Sequence, residues 1–343
     1  MGRKLIIHLG FPKTGTSYLQ KNIFPKMAGI NFIGRRDNFY SQEAKGLKDF
    51  VTFLLFIPED AFLDRLSSMK GVLLNINKAH FNYSKSEKLP ILLSDEALIF
   101  RTIDPFNVRW HGKYSASIDR LFRRLKIFVE FCDFDLKLIL TLRNQADLIH
   151  SVYSERYNVY RNIADINTFS KYLSAILNSK FYDYGMSNLQ YDRLIDKIKF
   201  FFENDRLLVL KYEQMKKDPL QFYERLLGFL PSDSTVSELS SEINFKAENK
   251  REIGFNKKIA NLGYKLPRVL KKLNLFTVRL FIKSGLTRES TVEEYILNNG
   301  FWFQKYKIIN MTQSQRSLIN GTFYESNKSL AQAYNEFLDY TNG

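Results

Sequence analysis

The chain has 343 residues, enough for one large domain or two smaller ones with a full core. Its single cysteine, Cys132, excludes an internal disulfide, and no run nears the roughly 18 uninterrupted apolar residues of a membrane-crossing helix. A net charge of +15 calls for an anionic partner, whether nucleotide, acidic glycan, lipid headgroup or nucleic acid, and does not choose among them.

The N-terminal Met-Gly-Arg-Lys-Leu-Ile-Ile has too short an apolar run for a secretory signal, and Lys-Leu-Ile-Ile reads as a buried strand rather than a myristoylation site. A cytoplasmic protein is the expectation. Nearly continuous Leu, Ile and Val runs predict strands over Lys4–Leu9, Pro90–Ser94, Leu136–Leu142 and Arg206–Lys211. Helical spacing is predicted over Thr16–Phe24, Tyr114–Phe131, Gln145–Tyr157 and Asn188–Phe202. This alternation predicts an α/β fold with a doubly wound, mainly parallel sheet flanked by helices.

The texture changes after Pro231. Ser- and Asp-rich residues 231–242 read as a linker, and a basic stretch follows from Lys250 to Arg288. Gln313–Asp339 reads as one or two helices with apolar spacing at Leu318, Phe323, Leu330, Tyr334 and Leu338. The expected division is an α/β domain over 1–235 and a basic, mainly helical C-terminal extension over 236–343 packed on it.

The densest signal is Leu5–Gln20, LIIHLGFPKTGTSYLQ. A strand ends at Leu9, Gly10–Gly15 form a tight loop, and Thr16 opens a helix. Unpaired N–H groups and the helix dipole make such a junction an anion cradle. Gly10 and Gly15 have the spacing of the nucleotide-triphosphate loop, and Ser17 stands where a magnesium-binding hydroxyl would. The lysine position, however, holds Thr16, and the lysine has moved back to Lys13. A P-loop kinase or NTPase is therefore the weaker reading.

Pro-Lys-Thr-Gly-Thr-Ser, with a strand before it and a helix after, resembles the 5′-phosphosulfate loop of the sulfotransferases that use 3′-phosphoadenosine 5′-phosphosulfate (PAPS). In that family Pro-Lys-x-Gly-Thr-[Ser/Thr] wraps the sulfonated end of the donor. A second segment, Leu136–Tyr157, places Arg143 at a strand tip and Ser151 about two turns into the next helix. Ligands of open parallel sheets bind beyond such tips, and Arg offers phosphate a planar fork. Arg, seven residues, then Ser is similar to the family's 3′-phosphate motif, and it follows the loop by about 130 residues. Residues 207–230 and ESNKSLAQAY at 325–334 resemble bacterial carbohydrate-type members.

The resemblance implies a P-loop-like sulfotransferase that moves a sulfuryl group from PAPS to a hydroxyl, with adenosine 3′,5′-bisphosphate as product and no metal required. It implies that Lys13, Thr14, Gly15, Thr16 and Ser17 hold the 5′ end and that Arg143 and Ser151 hold the 3′-phosphate. Lys13 would also stabilise charge on the bridging oxygen. Glu96 sits just past a predicted strand and is the candidate base, with Asp95 as neighbour and His8, His80, His111 and His150 as rivals. Lys250 and Arg251 are candidates for a segment closing over the donor.

A glycan or glycolipid acceptor is expected, walled by Lys70–Leu89 and Phe100–Ser115, with Phe81, Tyr83, Phe106, Trp110 and Tyr114 as sugar-facing aromatics. The basic, apolar Leu266–Leu286 could lie on an anionic membrane at the inner face. No nucleic-acid signature supports a non-catalytic basic binding protein, and no spacing suggests a zinc site.

Overall fold

The computed structural model describes residues 2–34, 42–78, 89–103, 117–177, 186–239 and 309–341. Within them five strands form one parallel sheet: β1 Arg3–Gly10, β2 Asn31–Gly34, β3 Ile91–Ser94, β4 Phe134–Leu142 and β5 Leu207–Lys211. Their order is β2-β3-β1-β4-β5, with β1 in the middle. The chain leaves β1 towards one edge and leaves β4 towards the other. The crevice beyond the C-terminal ends of β1 and β4 is therefore the switch point where open α/β sheets bind ligands.

Side-chain alternation explains why the strands are apolar throughout. On β1, Leu5, Ile7 and Leu9 enter one core and Ile6 enters the other. On β4, Leu136, Leu138, Leu140 and Leu142 face the first core and Ile139 the second. Both faces are covered, so every other residue being polar would leave a buried group unpaired. Among the buried polar exceptions is His8, with Nδ1 2.8 Å from Ser94 Oγ and Nε2 2.8 Å from Thr141 Oγ1. It ties β1 to both neighbours, and desolvation lowers its pKa to about 3.

Four strands lie where the apolar runs predict them, shifted by one or two residues at their ends. The fifth, β2, is only four residues long, preceded by the left-handed Gly29 and ended by Gly34, so it gives almost no periodicity to read. The predicted helix from Thr16 is helical through Lys26, but as three pieces: α1 Thr16–Tyr18, a π turn over Leu19–Ile23 and a 3-10 turn over Phe24–Lys26. Helices α2 Gln42–Leu55, α3 Glu59–Asp64, α4 Leu66–Lys78 and α5 Ala97–Ile103 fill the connections to β3 and beyond.

Helix α6, Ile118–Cys132, starts behind Ser117, whose side chain accepts from the Arg120 N–H at 3.4 Å. Its Arg124 is buried and donates to the carbonyls of Phe53, Leu54 and Ile57 at the end of α2 and to Glu59. The first two are carbonyls that a helix end leaves without partners, and Ile57 lies just beyond it. Cys132 is buried in the core, where desolvation pushes its thiol up to about 11. Helices α7 Gln145–Tyr160, α8 Phe169–Leu177, α9 Tyr191–Phe201, α10 Tyr212–Lys217 and α11 Pro219–Phe229 complete the cover.

Helix α12, Gln313–Ala333, opens with a capping box between Thr312 and Gln315, and a 3-10 segment, Asn335–Tyr340, follows it. Ile319, Phe323, Leu330, Phe337 and Tyr340 join the larger core. The predicted spacing is corrected at two positions: Leu318 and Leu338 are more than half exposed. The helix breaks at Tyr334, which is extended (φ −143°), so helical spacing does not continue to Leu338. No helix of the described residues is long and apolar enough to cross a membrane.

Candidate active site

The loop after β1 is built from two backbone choices. Lys13 (φ 67°) and Gly15 (φ 80°) both adopt the left-handed region, which a lysine tolerates only where its surroundings hold it there. At Gly10 space decides: an added Cβ would stand 2.5 Å from Thr16 Oγ1 and 2.9 Å from His8 Cε1. Thr14 and Thr16 are buried and turn their hydroxyls inward, to the Phe11 carbonyl at 2.5 and 3.4 Å. They brace the loop from within and leave it their main-chain N–H groups to offer. Among the described residues no backbone acceptor takes the N–H groups of Gly15, Thr16 or Ser17, as expected at a helix head. Ser17 is half-buried.

Arg143 follows the last residue of β4, and β4 pairs with β1 so that Gly10 lies opposite Thr141. The sheet thus sets the Arg143 tip against the loop. Arg143 Nη1 donates to the Lys13 carbonyl at 3.0 Å, and its guanidinium lies over the Tyr212 ring at 5.1 Å. Two residues 130 apart in sequence thereby share one crevice.

Helix α7 runs away from that tip. Ser151 and Glu155 are four residues apart and so share a helix face. Glu155 Oε1 is 3.1 Å from Lys13 Nζ, which puts that face towards the loop. Ser151 is half-buried on it. On the same helix His150 turns to the C-terminal segment, with Nε2 2.9 Å from the Ile309 carbonyl.

Glu96 lies beyond β3, on the other side of β1 from Arg143, and is half-buried where α5 begins. Asp95 is buried and its Oδ1 accepts from the Ala97 N–H at 2.8 Å, so this carboxylate caps α5. His80, His111, the aromatics Phe81, Tyr83, Phe106, Trp110 and Tyr114, the pair Lys250 and Arg251, and the segment 266–286 lie outside the described residues.

Sequence reasoning missed Glu155, Tyr212, Glu213 and Tyr191. Glu155 carried one legible signal, its four-residue spacing from Ser151. Tyr212 and Glu213 sit just past β5 and carried only their position at a strand end. Tyr191 donates its hydroxyl to the Arg143 carbonyl at 2.7 Å, a contact no local pattern announces.

The crevice joins a glycine-shaped loop, a lysine at its rim and an arginine from the neighbouring strand. A sulfotransferase domain profile matches residues 3–262. The chain belongs to the sulfotransferase family. Its fold is also similar to a sulfotransferase from Alicyclobacillus acidocaldarius, at 14% identity over 80% of this chain and 97% of that one, with a TM-score of 0.42. A mouse sulfotransferase, SULT7A1, complexed with PAP matches at 15% identity over 70% of this chain and 62% of that one, with a TM-score of 0.36. A retinol dehydratase in complex with androsterone and inactive cofactor PAP matches at 14% identity over 71% and 64%, with a TM-score of 0.34. No curated protein sequence matches the chain. The family assignment of this sulfotransferase rests on the domain match.

Proposed function

We propose that this sulfotransferase takes its sulfuryl group from PAPS and passes it to a hydroxyl of a carbohydrate or glycolipid. The observation that carries the donor reading is the Arg143 guanidinium bonded to the Lys13 carbonyl at the switch point. A donor with phosphates at both the 5′ and 3′ ends needs two anion sites within one nucleotide's reach, and the two motifs meet there.

The residues present fit such a donor. A Cβ at Gly10 or Gly15 would collide with packed side chains, the latter falling 2.2 Å from Met215 Cε, so the two glycines let the loop pack closely on the body behind it. The loop's donors are main-chain N–H groups, the Ser17 hydroxyl and the Lys13 ammonium, all suited to phosphate oxygens. Arg143 and Ser151 on the β4 side supply the guanidinium and hydroxyl for the 3′-phosphate.

When bound, PAPS supplies an activated sulfuryl group on a phosphate leaving group. Lys13 then places its ammonium where charge builds on the bridging oxygen, and the loop N–H groups hold the 5′-phosphate still. Glu96, across β1, takes the proton of the attacking hydroxyl. Asp95 is the weaker base because its carboxylate already caps a helix.

The carbohydrate reading is supported by the likeness of residues 207–230 and 325–334 to bacterial carbohydrate-type members. In this reading residues 1–235 form the catalytic body and 236–343 a basic extension. The enzyme works in the cytoplasm, with the basic 266–286 either flanking the nucleotide site or touching the anionic inner face of the membrane. Flotation with anionic vesicles at low salt tests that contact, and a chain that stays unbound rules it out.

Calorimetry with adenosine 3′,5′-bisphosphate, AMP and ATP tests the donor. We expect the bisphosphate to bind tightest. Equal affinity for AMP, or tighter magnesium-dependent ATP binding, would return the site to the kinase reading.

A further inference from the structure

The turn that carries Arg143 is held from the far end of the chain. The Asn144 N–H donates to Glu213 Oε1 at 3.1 Å, and Glu213 Oε2 accepts the Tyr340 hydroxyl at 2.6 Å. One carboxylate therefore spans the peptide after Arg143 and the C-terminal segment. Next in the turn, Gln145 exchanges two side-chain hydrogen bonds with Asn327, at 2.7 and 3.2 Å. Asn327 also donates to the Tyr340 carbonyl at 3.2 Å. Gln145, Asn327 and Tyr340 are all buried.

We propose that Tyr340 and Asn327 are positioning residues for the donor's 3′-phosphate, acting through Glu213 and Gln145 on the Arg143 turn. This rests on the donor reading above. Tyr340 touches no reacting atom. It fixes the carboxylate that fixes the Asn144 N–H, and so limits the directions from which the Arg143 guanidinium can leave the strand. Burial and the Glu213 carboxylate hold the Tyr340 phenol well above 10, so it remains a donor throughout the neutral range. Without that hydroxyl the half-buried Glu213 carboxylate loses a partner and must find another, which loosens the turn.

The test is calorimetry on full-length Tyr340→Phe with adenosine 3′,5′-bisphosphate and with AMP, which lacks the 3′-phosphate. We expect bisphosphate affinity to fall about tenfold, the effect of one lost charge-assisted hydrogen bond. AMP affinity should fall much less, so the preference for the bisphosphate shrinks. A merely structural role would weaken both nucleotides alike and leave that preference at the parent's value, and this result would overturn the proposal. Should Tyr340→Phe fold poorly, Glu213→Gln keeps the shape and one acceptor oxygen, and the same shrinkage is expected. A parent chain with no bisphosphate preference would instead defeat the donor reading, and the positioning role with it.

Discussion

The ammonium of Lys13 stands 3.1 Å from the Glu155 carboxylate, joining the loop after β1 to the third turn of α7. In a site for an anionic donor, that carboxylate neutralises the lysine until the donor arrives and repels the donor as it enters. Glu155→Gln should therefore tighten bisphosphate binding by about three- to tenfold at low salt, as removal of one charge at this range implies. The gain should fade as salt is raised. Weaker binding by the variant in calorimetry would show that Glu155 instead holds Lys13 in its working position.

Lys13→Ala should lower turnover by a factor on the order of 10²–10³, the usual effect of removing a group aimed at transition-state charge. A control at an exposed lysine such as Lys217 should leave the rate within about twofold. Comparable rates for the two variants in a sulfuryl-transfer assay would remove Lys13 from the mechanism.

Arg143→Ala should cost the bisphosphate about 10- to 100-fold in affinity, as expected for charge-assisted hydrogen bonds. AMP should lose less, since only the bond to the Lys13 carbonyl is then missing. Arg143→Lys should recover part of the loss, because an ammonium keeps the charge without the planar fork. Competition binding with both nucleotides reads the difference.

His8 predicts an acid limb in stability. Its folded pKa is lowered to about 3 from 6.5, so between those values the unfolded chain binds a proton that the folded chain refuses. Stability is then full above about pH 6.5 and falls as pH drops towards 3, by up to about 1.4 kcal/mol per unit from this group. Urea midpoints measured between pH 4 and 7 should slope accordingly. His8→Gln should lower stability overall and flatten the slope, and an unchanged slope would assign it to other groups.

Arg124→Met should destabilise the fold by about 2–4 kcal/mol, because the carbonyls of Phe53, Leu54 and Ile57 lose their buried donor. The pair with Glu59 contributes little to that, since the carboxylate is more than half exposed. A melting temperature within a degree or two of the parent's would mean that water replaces the guanidinium.

Much of this protein could be read residue by residue. Leu5–Leu9 and Leu136–Leu142 announce buried strands because both faces of a parallel strand must be apolar, and Gly10, Lys13 and Gly15 announce a tight turn into a helix because spacing and conformational need coincide there. These are properties of a few consecutive residues. By contrast β2 was too short to show a period, the Thr14 and Thr16 hydroxyls turned inward where the motif suggested ligand donors, and Leu338 followed a helical rhythm that the break at Tyr334 cancels.

Local pattern alone predicted four of the strands, the loop and the arginine at a strand tip. Only the packed chain decided the order β2-β3-β1-β4-β5 and, through it, that Arg143 stands beside the loop while Glu96 lies across from it. The pairings of Lys13 with Glu155 and of Tyr340 with Glu213 likewise join residues more than a hundred positions apart. Periodicity is written in neighbours along the chain, whereas such contacts depend on how whole layers of helix and sheet come to rest against each other.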